Sequence, residues 1–188
     1  GGGGMIATNN LKQAEHIKFL VNQARDASRG YYHPEIGFNY RMTNLEAALG
    51  LAQFERLAGF LEKKGEFYQI YRQTFAGIDS VKEQEALGDT QTSAWLSSVT
   101  INTAKIGLSI PEIQEKLKTE GIPTRRIFPP ITEFPPYRRY QKQSLDNCYS
   151  LYENGLNLPS STVNTCEDIR RAADTLVKVV KKSGDARM

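Results

Sequence analysis

From about residue 78 onward the sequence predicts a small α+β layer domain, and three observations carry that expectation. SAWLSSVTI, residues 93–101, alternates in part and is β-branched toward its end, which marks a strand. SIPEIQEKLKTEG, residues 109–121, is a helix with both ends labelled: Ser109 and Glu112 form a capping box, Pro111 sits in the first turn and Gly121 ends it. The order strand, helix, strand, loop, helix, helix then gives one sheet with helices to cover it.

The remaining elements of this part follow from local signals. IPTRRIF reads as a strand that enters the proline-rich PPITEFPPY. Residues 144–154 are helical in pattern, and NLPSST is read as a loop. Thr165 with Asp168 caps a last amphipathic helix whose apolar stripe is Ile169, Ala172, Ala173, Leu176 and Val180. KKSGDARM is expected to fray.

The first 77 residues differ in kind. Met5 to Thr8 reads as a short strand after four glycines, with Asn9 and Asn10 as helix caps. Leu11, Ala14, Ile17, Val21 and Ala24 recur at helical spacing, which predicts a helix to about Asp26. ASRGYYHPEIGFNYRM has no sustained period and is a chemically rich loop. Thr43 and Glu46 form a second capping box. The apolar run behind it is too long for one ordinary helix, so two helices with a bend near Gly59 are expected. Leu45, Ala48, Leu49 and Ala52 form one stripe; Phe67, Ile70, Tyr71 and Phe75 form another. A lone strand has no sheet to join, and this arm cannot cover its own apolar faces. It requires a partner, either further chain or another subunit.

Composition narrows the function classes. The net charge is +3, from 24 basic and 21 acidic residues. The basic residues are scattered, which argues against nucleic acid or an anionic membrane as partner. Cys148 and Cys166 lie far apart with no metal-ligand spacing, so neither a disulfide framework nor a zinc site is indicated. No run approaches the length of a membrane helix, and a reducing cytoplasm is the default compartment.

GYYHPEIGFNYRMTNLEAALGLAQFERL closely resembles the sugar-nucleotide aminotransferases of the DegT/StrS type, and NQARDASRGYYHPEIGFNYRMTN, TSAWLSSVTI, GIPTRRIF and GLNLPSS fall in the family's order. The resemblance covers essentially the whole chain. It implies pyridoxal 5'-phosphate as cofactor and an α/β fold, the aspartate-aminotransferase-like fold type I. On that reading residues 1–77 end the cofactor-binding large domain with its dimer-forming helices, and residues 78–188 form the small C-terminal domain. GGGGMIATNN matches the segment that follows the family's Schiff-base Lys, which places that Lys just before Gly1. The expectation is therefore the C-terminal part of a homodimeric enzyme, lacking that Lys and inactive by itself.

The resemblance also nominates site residues. Asn39 in GFNYRMT is implied to reach across the dimer interface and donate its amide to the cofactor phosphate of the other subunit, although an Asn holding a turn after Gly37 is the plainer alternative. Tyr32 and His33, with Tyr31 beside them, are implied to lie near the sugar nucleotide, where aromatics pack a sugar or base face; equally, they pin a long loop. Arg125 aligns with the family's Thr-Arg-Pro segment and suits a diphosphate or the glutamate carboxylate. Arg41 is read as anchoring the loop end, and Trp95 as core. Where many relatives continue with Pro, Trp and a Met-His pair, this chain has Arg126, Phe128, Ile131 and Thr132.

The implied reaction is transfer of an amino group from glutamate to a nucleotide-linked 4-keto-6-deoxy sugar, in the making of cell-surface polysaccharide or glycan sugars. WLSSVTI after NQARD is closest to enzymes that aminate C4 of a UDP-linked N-acetylhexosamine, as in bacillosamine pathways. The rivals are a sugar 3-dehydratase of the same family, which uses pyridoxamine phosphate and carries His in place of that Lys, a regulatory relative without catalysis, and a non-catalytic α+β binding or dimerisation module.

Overall fold

The computed structural model describes residues 2–140 and 143–185. The elements run α1 (Leu11–Leu20), α2 (Asn44–Phe54), α3 (Leu57–Phe75), β1 (Val81–Glu83), β2 (Ser97–Ile101), α4 (Thr103–Ile106), α5 (Ile110–Thr119), β3 (Arg125–Arg126), α6 (Asp146–Asn154), β4 (Gly155–Leu158) and α7 (Cys166–Asp185). They divide into two compact units, Gly1–Ala58 and Gly59–Met188. The division falls inside α3 because its second half, Phe67, Ile70, Tyr71 and Phe75, is buried in the core of the second unit. The 77/78 boundary between a large and a small domain concerns the whole enzyme, and there it stands as our proposal.

The second unit is the α+β layer structure. Its sheet has the order β1-β2-β4-β3, every neighbour antiparallel, with Val81 opposite Ile101, Val99 opposite Leu156 and Arg125 opposite Asn157. Along β2 the inward residues alternate, Ser97, Val99 and Ile101, as one covered face requires. All four residues of β4 are buried. Asn157 is tolerated there because Ser98 Oγ donates to its Oδ1 at 2.7 Å and its own amide donates to the Arg126 carbonyl at 3.2 Å. The expected stripe of α7 is buried at every position, together with Ile110, Ile113 and Leu117 of α5. Burying each of the larger apolar side chains contributes about 1.5–3 kcal/mol.

Three side chains of α3 tie down the loop after β4. Tyr71 Oη donates to the Pro159 carbonyl at 2.8 Å, Lys63 Nζ to Thr162 at 2.8 Å, and Lys64 Nζ to Ser160 at 2.7 Å and to Trp95 at 2.6 Å. Partial burial lowers the pKa of Lys64, while desolvation raises that of Tyr71 well above the phenol range.

Several expectations are corrected. Residues 5–8 form no strand, since no second strand pairs with them among the described residues. The first helix stops at Leu20 rather than Asp26, because the chain turns into left-handed conformations at Gln23 (φ 65°) and Ala24 (φ 50°). The break between the two later helices lies at Glu55–Arg56, and Gly59 sits inside α3. Trp95 is two-thirds exposed, not core. β4 takes in Asn157 and Leu158, the first two residues of the predicted NLPSST loop, and the sequence announces neither β1 nor α4. Of the tail expected to fray, residues 181–185 continue α7 and residues 186–188 lie outside the described residues.

All three reciprocal caps marked in the sequence form, and Asn10 caps α1 as expected, its Oδ1 accepting from Gln13 N at 3.2 Å. Thr43 and Glu46 at α2, Ser109 and Glu112 at α5, and Thr165 and Asp168 at α7 each exchange the reciprocal pair of hydrogen bonds. The cap residue holds each carboxyl below its ordinary pKa, through the backbone N–H first for Glu46 and Asp168 and through the hydroxyl first for Glu112. A depressed folded-state pKa gives stability that is present above the unfolded value and lost as pH falls through the folded one. Acidification from neutral pH to below the usual carboxylate range should therefore weaken all three helix starts. Glu112→Gln keeps the reach of the cap without the charge; urea titrations at both pH values should show a smaller pH difference for it. Separately, Leu117→Ala should cost about 2–5 kcal/mol in the same titration at neutral pH.

Candidate active site

The first unit is built around one loop, residues 22–43. Asn22 and Gln23 leave α1 and meet the returning segment 38–40: Phe38 N donates to Leu20 O at 2.9 Å, Gln23 N to Phe38 O at 3.0 Å and Tyr40 N to Val21 O at 3.1 Å. Between these, Asp26 caps a short turn through Ser28, and its N–H bonds the Tyr32 carbonyl at 2.9 Å. Arg25 donates from Nε to Gly30 O at 2.8 Å and lies over the Tyr31 ring at 4.5 Å. Arg29 lies over the Tyr32 ring at 3.7 Å. Such stacks contribute about 0.5–1 kcal/mol each at exposed sites.

Three of the four nominated residues share this loop. His33 Nδ1 is 2.8 Å from the Gln23 carbonyl. A carbonyl only accepts, so Nδ1 carries the proton, and in the neutral ring Nε2 is left as an acceptor. Tyr32 has one face occupied by Arg29 and is partly exposed. Asn39 is exposed, and its side chain makes no hydrogen bond among the described residues although the backbone on either side is bonded. Successive side chains alternate in extended chain; Phe38 and Tyr40 stack on one face, centroids 5.1 Å apart, and Asn39 takes the other. Arg41 anchors the loop end, Nη1 to Asn22 Oδ1 at 3.4 Å.

The glycine-rich segment belongs to the same site region. Gly3 passes so close to Met42 that a Cβ there would stand 2.8 Å from its Sδ. Gly4, Ile6, Ile17, Val21 and Tyr40 line one groove between that segment, α1 and the loop. The helix that continues the loop is unlike an ordinary surface: α2 has no buried residue, yet Leu45, Leu49, Leu51 and Phe54 point from more than one side of it.

Arg125 belongs to the second unit, exposed on the edge strand β3, and its side chain has no bonded partner among the described residues. Its neighbour is used differently: Arg126 donates from Nη2 to Tyr152 O at 2.6 Å and lies over the Tyr152 ring at 4.8 Å. A groove beside Arg125 is lined by Lys64, Trp95, Asn157, Ser160 and Arg171. Sequence reasoning missed the left-handed turn at Gln23–Ala24, since neither residue type announces positive φ; the signal that existed was Gly37, an isolated glycine between apolar residues.

A neutral amide donor, an imidazole acceptor and exposed aromatic faces on one anchored loop suit a phosphorylated, hydroxyl-bearing ligand. Residues 1–177 match the model of the DegT/DnrJ/EryC1/StrS aminotransferase family. The chain is 33% identical over 182 residues to the GDP-perosamine synthase of Caulobacter vibrioides, covering 96% of this chain and 48% of that one. It is 31% identical over 180 residues to EpsN of Bacillus subtilis, a proposed pyridoxal phosphate-dependent aminotransferase, covering 94% and 46%. The solved structure of DesI with its TDP-sugar product aligns at a TM-score of 0.81 and 26% identity, over 96% of this chain and 46% of that one. The chain belongs to the DegT/DnrJ/EryC1/StrS aminotransferase family, with its α/β fold and with pyridoxal phosphate as the family's cofactor. It spans about half the length of the curated relatives it matches.

The two adjacent arginines differ in what they hold within the fold. Arg126→Leu should destabilise the protein by about 1–3 kcal/mol through the lost carbonyl bond and ring contact. Arg125→Leu should stay within about 0.5 kcal/mol of the parent. Chemical denaturation of both variants checks the contrast.

Proposed function

We propose that this chain is part of a homodimeric enzyme that transfers the amino group of glutamate to C4 of a nucleotide-linked 4-keto-6-deoxy sugar, with active sites at the subunit interface. The balance closes: the α-carbon of glutamate gives up its amino group and a hydrogen and becomes the ketone of 2-oxoglutarate, oxidised by two electrons, while C4 of the sugar gains both and is reduced by two, with one water taken up and one released. When bound, pyridoxal phosphate supplies the carrier of the amino group and the sink for the electrons released at carbon.

The donor set fits that group. In the proposed arrangement the Asn39 amide donates to the cofactor phosphate held by the other subunit, a neutral donor for an anion that other groups also surround. His33 Nε2 accepts from a sugar hydroxyl, and the open face of Tyr32 packs the sugar or base. Arg125 faces a diphosphate or the glutamate carboxylate with a forked pair of donors. The unpaired Asn39 amide on a backbone bonded at Phe38 and Tyr40 is the observation that carries this reading. The uncovered α2 supports a dimer, since a helix apolar on several sides is stable only when buried.

The substrate reading extends to a UDP-linked N-acetylhexosamine, by the resemblance of WLSSVTI after NQARD. The test is to supply the full-length protein with 15N-glutamate and UDP-, GDP- and dTDP-linked 4-keto-6-deoxy sugars and to follow the products by mass spectrometry. Label in a 4-amino sugar, fastest from the UDP-linked N-acetyl substrate, is the expected result. Loss of water at C3 without nitrogen would overturn the transfer reading in favour of a dehydratase. Among variants, Asn39→Ala should lower cofactor affinity at least tenfold, about 1.4 kcal/mol, with the unfolding midpoint almost unchanged.

A further inference from the structure

The Asn39 side chain makes no bond of its own among the described residues, so something else must fix where its amide points. The backbone around it supplies the answer. Gln23 and Ala24 both adopt left-handed conformations, at φ 65° and 50°, and Ala24 is fully buried. That turn presents Gln23 N to Phe38 O and Gln23 O to His33 Nδ1, while Ala24 N returns to Phe19 O at 3.0 Å. The returning segment reaches these groups only because residue 37 has no side chain. A Cβ on Gly37 would lie 2.3 Å from Ala24 N, 2.4 Å from the Gln23 carbonyl carbon and 2.8 Å from the buried Ala24 methyl. None of the three is a flexible side-chain end that could swing aside. The conformation of Gly37 itself is not left-handed, so glycine is required there for space and not for φ.

We propose that the left-handed Gln23–Ala24 turn and Gly37 together are the positioning device for Asn39, seating residues 38–40 against the end of α1 and so aiming the amide at the phosphate. The device rests on the proposed role of Asn39. Gly37 and Ala24 touch neither cofactor nor substrate; they act through Asn39. The clustering of two non-glycine residues at positive φ beside a site loop is the pattern in which backbone strain is retained for function.

The test uses the full-length protein and two readouts: the preference for pyridoxal phosphate over pyridoxal, which lacks the phosphate, and hydrogen exchange at the Phe38 and Tyr40 amides. Gly37→Ala should push residues 38–40 off the turn, speed exchange at both amides at least tenfold and lower the phosphate preference at least tenfold. Ala24→Gly, which frees the turn without adding an atom, should move both readouts in the same direction by less, and it answers the question if Gly37→Ala fails to fold. Asn39→Ala should lower the preference while leaving exchange unchanged. Faster exchange with an unchanged preference in the Gly37 and Ala24 variants, beside a strong Asn39 effect, would overturn the positioning role and leave the reading of Asn39 intact. A silent Asn39→Ala would overturn that reading, and the positioning role with it.

Discussion

An α-helix that is apolar on several sides and buries none of them cannot be a finished surface. α2 is such a helix: eight of its eleven residues, NLEAALGLAQF, are Leu, Ala, Gly or Phe, and no residue of it is buried. Covering what is still exposed of Leu45, Leu49, Leu51 and Phe54 alone would contribute on the order of 4–8 kcal/mol. That is comparable to the whole stability of a typical domain. The first unit is therefore a surface awaiting its complement, and the loop that carries Asn39, His33 and Tyr32 leads directly into that helix. The proposed site shared between subunits fits this layout: Asn39, which that proposal assigns to a neighbour's cofactor, lies just before the start of the uncovered helix in the sequence.

The second unit is the reverse case. Its core is complete, with all of β4 buried and α7 and α5 contributing to one continuous apolar cluster. Lys63, Lys64 and Tyr71 direct their donors to carbonyl oxygens of the β4–α7 loop and of Trp95, and so hold the backbone instead of presenting charge. Arg126 is committed in the same way to Tyr152. Arg125 is left over, on an edge strand where its guanidinium is open to an anion.

Legibility in the sequence follows the range of the interaction. The three capping boxes are contacts over three residues, and all were readable. The stripes of α3 and α7 were readable because burial on one face imposes helical period. β4 was not, since a four-residue strand buried on both sides has no alternation and adjoins a helix without a break. The strand expected at residues 5–8 failed for the complementary reason: local pattern cannot supply a pairing partner. At the site, resemblance named Asn39, Tyr32, His33 and Arg125, but it could not show that His33 Nδ1 is already bound to Gln23 or that one face of Tyr32 is already taken by Arg29. Nor could it reveal the Gln23–Ala24 turn, because a positive φ in Gln and Ala is imposed by contacts with Gly37 and Phe38, far along the chain.

The proposed function rests on Asn39 serving a phosphate held by the other subunit. A structure of the full-length protein with its cofactor tests this most directly. The expected result is the Asn39 amide within hydrogen-bond distance of a phosphate oxygen on the partner's cofactor, with residues 38–40 still bonded to Leu20, Val21 and Gln23. An Asn39 side chain turned to solvent, or bonded within its own subunit while the partner's phosphate is held by other groups, would contradict it.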